Sequence, residues 1–284
     1  MTMDLCDLDV IRPLLQEAGF RFSKGKGQNF LTAAWVPARI AEAADLGPGD
    51  GVVEIGPGVG CLTRELAARA GAVLAYEVDT ALGPVLEKTV GDLDNLQIVF
   101  GDVMDRDLAA DCAKKLPGLR WSVCANLPYS ITTPVLTKLY RAGCFERILV
   151  MVQKEVARRM CAEAGTGDYG AFTLLTRWYA QPELLFTVGP ECFVPRPKVT
   201  SAVVRLTMRT APPVQVDETA FFRVVRAAFN QRRKTLANAL EGVCGRERAA
   251  EALTACGLDG RVRGEALRLE EFAALTNAIS NSRT

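Results

Sequence analysis

The residues best placed to do chemistry are Asn126-Leu127-Pro128-Tyr129, which follow the apolar run Trp121-Ser122-Val123-Cys124-Ala125. An amide, a ring without a backbone donor and a phenol at one strand exit suit the holding of a flat, weakly nucleophilic amine. The lone pair of an exocyclic base amine is delocalised into its ring. The Asn126 side-chain oxygen and a main-chain carbonyl next to Pro128 would accept both amine protons and turn that lone pair toward an electrophile. Tyr129 would then stack on the base. The plain alternative is a strand that ends in an ordinary Asn-x-Pro turn. The rest of the chain favours the chemical reading.

From Asp50 onward the pattern alternates strand and helix. Val52–Ile55, Ala72–Tyr76, Leu96–Phe100, Trp121–Ala125 and Arg147–Val152 read as continuous apolar strands separated by helical stretches. That rhythm predicts an α/β Rossmann-like parallel sheet covered on both faces, with ligands bound beyond the carboxyl ends of its strands. Gly56, Glu77, Asp102 and Asn126 each follow one of those ends. The first 20 residues read as an amphipathic helix, Gln153–Ala162 and Tyr169–Tyr179 as two more helices, and Leu184–Val188 with Ser201–Leu206 as an antiparallel pair at the sheet edge. Beyond the Ala211-Pro212-Pro213 linker, Phe221–Asn230, Lys234–Gly242, Glu247–Cys256 and Leu269–Ile279 read as helices. The expected division is a catalytic domain over 1–210 and a small all-helical domain over 211–284.

Composition removes several function classes. The chain has no histidine, so imidazole can be neither base, nucleophile nor ligand. Its nine cysteines form an odd set without a Cys-x-x-Cys pair, which points away from a disulfide framework or a zinc site. No uncharged stretch approaches the roughly 20 residues that span a bilayer, and the expectation is a cytoplasmic protein without membrane or metal partner, acting as a monomer. Charge is polarised along the chain: residues 31–110 hold 5 Lys/Arg against 13 Asp/Glu, whereas 196–248 hold 11 against 4. An acidic half for a cationic cofactor and a basic half for phosphates would produce this pattern, as would two solvated surfaces without a partner.

The glycine loop Gly56-x-Gly58-x-Gly60 suits either a dinucleotide or S-adenosylmethionine. Its third glycine stands one place early for the dinucleotide fingerprint, and Pro57 leaves little room for a pyrophosphate. Glu77 serves a ribose diol in both cases. Asp102 favours the methyl donor, because a carboxylate there can accept from an adenine amino group while Asn126 stands where the methyl would point.

Seven blocks then resemble one family, the small-subunit (16S-type) ribosomal RNA adenine N6,N6-dimethyltransferases of the KsgA or RsmA kind. They are 27–31 (GQNFL), 54–63 (EIGPGVGCLT), 126–134 (NLPYSITTP), 153–157 (QKEVA), 168–170 (DYG), 193–202 (FVPRPKVTSA) and 229–236 (FNQRRKTL). They run nearly the length of the chain in the family's order. The resemblance implies S-adenosyl-L-methionine contacts at Asn29, Leu31, Gly56, Glu77, Asp102 and Asn126. It implies that Asn126, Leu127, Pro128 and Tyr129 hold the target adenine and that Phe193 stacks on its other face. The expected reaction is methyl transfer to N6 of two adjacent adenines in a loop of 16S rRNA, with the small ribosomal subunit as partner. Lys24, Lys26, Arg196, Lys198, Arg223, Arg226, Arg232, Arg233 and Lys234 are the candidate RNA contacts, with a solvated basic face as their alternative. Ser130 stands where the family commonly has Asn, and Thr32-Ala33-Ala34 lacks an aspartate often found there; both bear on loop order rather than chemistry. A methyltransferase of DNA adenine or of a protein amide, and a non-enzymatic RNA-binding assembly or transcription factor, are the rival readings. Intact Glu77 and Asn126 favour an active enzyme.

Overall fold

The computed structural model describes residues 3–20, 28–115, 118–129 and 131–281. In chain order the elements are α1 (Leu8–Glu17), β1 (Phe30–Leu31), α2 (Trp35–Ala43), β2 (Asp50–Ile55), α3 (Cys61–Ala67), β3 (Ala72–Glu77), α4 (Gly83–Val90), β4 (Leu96–Phe100), α5 (Leu108–Lys115), β5 (Arg120–Asn126), α6 (Thr132–Ala142) and β6 (Phe145–Gln153). They continue with α7 (Lys154–Cys161), α8 (Ala171–Tyr179), β7 (Ala180–Val188), β8 (Phe193–Val194), β9 (Ser201–Met208), α9 (Glu218–Asn230), α10 (Leu236–Ala239), α11 (Glu241–Cys244), α12 (Arg246–Ala255) and α13 (Leu269–Asn281).

Seven strands form one sheet in the order β4-β3-β2-β5-β6-β9-β7. The first five are parallel, and β9 adds antiparallel to β6 with Gln153 opposite Ser201. Every residue of β2 and of β3 is buried, which is why these strands read as unbroken apolar runs rather than alternating ones. Chain order reverses at β2, whose neighbours are β3 on one side and β5 on the other. A crevice opens at such a switch point because the two following connections leave in opposite directions. The expected edge pair is found: β9 and β7 are neighbours at one end of the sheet, with β7 outermost. Two elements are not apparent from the sequence pattern: α2, and the small antiparallel sheet that pairs Phe30 with Val194 and Leu31 with Phe193.

Two compact units result. One comprises the chain up to Ala157 with Glu183–Met208; the other comprises Arg158–Pro182 with the chain from Arg209 on. The helical unit is therefore larger than a cut between 210 and 211 makes it. Its core shows why: Trp178 of α8 packs on Phe221 and Phe222 of α9 at ring distances of 4.7 and 5.4 Å, and the Tyr169 hydroxyl donates to the Leu267 carbonyl at 2.7 Å. Those aromatic surfaces are buried against the C-terminal helices, so α8 folds with them. The expected helix over Lys234–Gly242 is two short ones, α10 and α11. Arg232, Arg233 and Lys234 occupy the turn before α10, where Lys234 N–H donates to the Gln231 carbonyl.

Candidate active site

A cavity of about 250 Å³ lies at the carboxyl ends of β2, β3, β4 and β5. It is lined by Asn29, Leu31, Gly56, Glu77, Asp102, Asn126, Leu127, Pro128 and Tyr129, so nine of the ten residues assigned to cofactor or base meet in one place. Phe193 is the exception. Its ring is buried in the core, only 2% exposed, and its backbone pairs with that of Leu31, which does line the cavity.

The glycine loop between β2 and α3 forms one wall. Gly56, Gly58 and Gly60 have φ of 73°, 61° and 91°, a left-handed backbone that L side chains resist. At Gly60 space matters as well, since a Cβ there would stand 2.6 Å from Val90 Cγ1. The turn leaves Gly58 N–H free to donate to Glu77 Oε2 at 3.3 Å, while Asp79 N–H donates to Oε1 at 2.8 Å. Two backbone donors orient the carboxylate. Asp79 is itself held by the Gln28 amide at 2.8 Å. Asp102 accepts from Met104 N–H at 2.8 Å, fixing its side chain at the end of β4.

Asn126 ends β5. Its Nδ2 donates to the Asn29 carbonyl at 3.2 Å, which leaves Oδ1 as an acceptor. The carbonyls around Pro128 are not equivalent. That of Pro128 accepts from Ile131 N–H and the Thr132 hydroxyl, both at 3.2 Å. Among the described residues no donor reaches the Leu127 carbonyl, whereas Leu127 N–H is bonded to the Met151 carbonyl. Two acceptors, Asn126 Oδ1 and the Leu127 carbonyl, thus stand on consecutive residues beside the cavity. Burial raises the Tyr129 phenol above its ordinary value, so it stays protonated near neutral pH.

Glu54, which the sequence analysis did not assign, also lines this cavity. It is 1% exposed, and its Oε2 has no hydrogen-bond partner among the described residues. Thr63 lies close enough to favour the charged form, yet its Oγ1 makes no hydrogen bond of good geometry either. Burial dominates and pushes the Glu54 carboxyl up to about 8, with Glu77 nearby adding to the effect. An acid inside the apolar run of a core strand is the signal that could have found it.

These walls discriminate between cofactors. Three carboxyl groups, Glu54, Glu77 and Asp102, line the cavity, and no Lys or Arg does among the described residues. A pyrophosphate would meet repulsion there without a compensating cation. A sulfonium and an ammonium meet attraction, and the orphaned Glu54 oxygen waits for a donor. The residues fit S-adenosylmethionine.

The candidate RNA contacts fall on both units. Arg196 and Lys198 are exposed on the loop before β9. Arg223 and Arg226 are exposed one turn apart on α9. Arg233 and Lys234 are exposed, while Arg232 donates to the Gly167 and Tyr169 carbonyls at 3.2 and 3.1 Å and pairs with Glu265 at 3.7 Å. Lys24 and Lys26 lie outside the described residues. No described helix is long and apolar enough to cross a membrane, and the described residues hold no cluster of metal-ligating side chains.

The profile of the ribosomal RNA adenine dimethylase family matches residues 19–281. A Moorella thermoacetica protein named ribosomal RNA small subunit methyltransferase A is 48% identical, covering 94% of this chain and 96% of its own. A Geobacillus kaustophilus protein of the same name is 44% identical over 99% and 98%. Among solved structures, the 23S rRNA methyltransferase ErmE superposes with a TM-score of 0.68 at 30% identity, covering 88% of this chain and 99% of its own. A dimethyladenosine transferase from Plasmodium falciparum shares the fold with a TM-score of 0.70 at 23% identity, over 87% and 95%. By this likeness along its length, the chain belongs to the ribosomal RNA adenine dimethylase family.

Proposed function

We propose that the chain dimethylates N6 of two adjacent adenines in a loop of small-subunit (16S) ribosomal RNA during subunit assembly in the cytoplasm. The observation that carries this reading is the Asn126 amide, whose nitrogen is bound to the Asn29 carbonyl and whose oxygen is left to accept. S-adenosylmethionine, when bound, supplies a methyl group already activated on a sulfonium. Asn29, Leu31, Gly56, Glu77, Asp102 and Asn126 would hold it, with Glu54 as a further acceptor for its cationic part.

The work left to the protein is positioning. Asn126 Oδ1 and the Leu127 carbonyl each accept a hydrogen bond from the N6 amine, which rotates its lone pair out of conjugation. Pro128 contributes no N–H that would compete for the site, and Tyr129 stacks on the base. After one transfer a single N6 proton remains, so one acceptor suffices to hold the amine for the second. No ionisable base stands in this block; the proton leaves after bond formation, to water or a carbonyl.

An adenine reaches such a cavity only outside its stack, so loop or single-stranded RNA is the substrate form. Arg196, Lys198, Arg223, Arg226, Arg233 and Lys234, with Lys24 and Lys26, would meet phosphates. Arg232 retains free guanidinium donors for the same purpose beside its bonds within the helical unit. The relatives' shared name supports the small subunit as substrate.

The test is methyl transfer from labelled S-adenosylmethionine into small subunits from cells lacking the modification, followed by nucleoside analysis. Dimethyladenosine at two neighbouring positions is expected. Tight subunit binding without transfer would refute the enzymatic reading in favour of an assembly factor.

A further inference from the structure

The hydroxyls of Tyr129 and Ser201 share a hydrogen bond of 2.8 Å, although 72 positions separate them in sequence. Their settings differ. Ser201 is fully buried and opens β9, where antiparallel pairing sets it opposite Gln153, and Lys154 N–H closes that end of the ladder on the Thr200 carbonyl at 2.9 Å. Tyr129 is half-buried in the irregular segment after β5.

We propose that Ser201 is a positioning residue for methyl transfer: it pins the Tyr129 phenol to the sheet and so fixes where the ring stands against the target adenine. The proposal rests on Tyr129 facing the base. The phenolic oxygen lies on the Cβ–Cγ axis, at the end of the side chain farthest from the backbone. A bond there fixes the direction of that axis while leaving rotation about it. Without Ser201 the phenol loses this partner, and the ring turns toward water. Stacking area changes little, because an aromatic face remains near the base. What changes is where N6 stands relative to the two acceptors, and displacements of about 1 Å at a reacting centre cost on the order of 100-fold in rate. The signature is therefore a fall in kcat rather than a rise in KM.

The experiment measures Ser201→Ala, Tyr129→Phe and the double variant for kcat and KM on unmethylated small subunits, and for S-adenosylhomocysteine affinity by calorimetry. Each single change is expected to lower kcat about tenfold or more, with subunit KM and S-adenosylhomocysteine affinity within about twofold of the parent. The double variant is expected to be no slower than the slower single one, because both changes break the same bond. Multiplying effects, an unchanged kcat in Ser201→Ala, or a parallel loss of S-adenosylhomocysteine affinity would overturn the proposal. If Ser201→Ala does not fold, Tyr129→Phe breaks the bond from the half-buried side and reads the same kcat. Tyr129→Ala separates the two levels of inference. Full activity in that variant removes Tyr129 from the base site altogether, whereas its loss beside an unaffected Ser201→Ala removes only the anchor.

Discussion

Replacing Glu54 by Gln removes one ionisable group from a core strand while keeping its shape, and the consequence follows from where its proton sits. The unfolded chain gives up the proton near the ordinary value of 4.5, whereas the folded chain keeps it until about 8. Below 4.5 both states are protonated and Glu54 leaves stability unaffected. As pH rises the unfolded state ionises first and gains free energy that the folded state does not, so stability is lost up to about 8 and the loss then levels off. At 1.36 kcal/mol per pH unit the full loss is about 5 kcal/mol. Glu54→Gln escapes it, so its advantage over the parent grows from near zero at pH 4 to roughly 10 °C in Tm at pH 9. Thermal unfolding followed by circular dichroism across that range reads the difference directly. The same carboxyl reports the cofactor. A cation entering the cavity favours ionised Glu54, so S-adenosylmethionine binding at pH 7 should release a proton, seen as a buffer-dependent heat that disappears in Glu54→Gln. Parallel Tm curves for the two proteins would refute the burial argument.

Asn126→Ala removes an acceptor that neither Leu127 nor Tyr129 replaces, and should lower turnover at least about 100-fold while RNA binding stays within a few-fold; single-turnover transfer checks it. Gly60→Ala forces a side chain into a left-handed backbone against Val90. It should destabilise the protein by about 1 to 3 kcal/mol in urea titrations and weaken cofactor binding as well. Arg223→Ala with Arg226→Ala should reduce the slope of log affinity against log salt by about 1.5, and an unchanged slope would leave α9 as a solvated face. Arg233→Ala should lower that slope without changing Tm, whereas Arg232→Ala should also destabilise by about 1 to 3 kcal/mol, because it strips donors from two carbonyls.

What could be read in the sequence, and what could not, divides by the range of the physics involved. Four of the five parallel strands, β2, β3, β5 and β6, were legible because burial imposes continuous apolar runs, and the strand ends were legible because Gly56, Glu77, Asp102 and Asn126 interrupt the pattern with groups a core rejects. The helical stretch at Trp35–Ala43 was passed over because Pro37 and alanine-rich composition blur its periodicity. The β1–β8 pair was invisible because each strand is two residues long, and what creates them is a contact between Leu31 and Phe193 rather than a local pattern. That contact also bears on Phe193: the family resemblance implies that it stacks on the adenine, and its ring lies in the core. The domain boundary was displaced for a similar reason, since nothing local in Ala171–Tyr179 announces that Trp178 will meet Phe221 and Phe222. Glu54 shows the opposite case. Its neighbours assign it to a strand at once, and the same neighbours make its charge anomalous. The strand pattern and the violation of that pattern are separate signals, and the second is the one that marks a cavity.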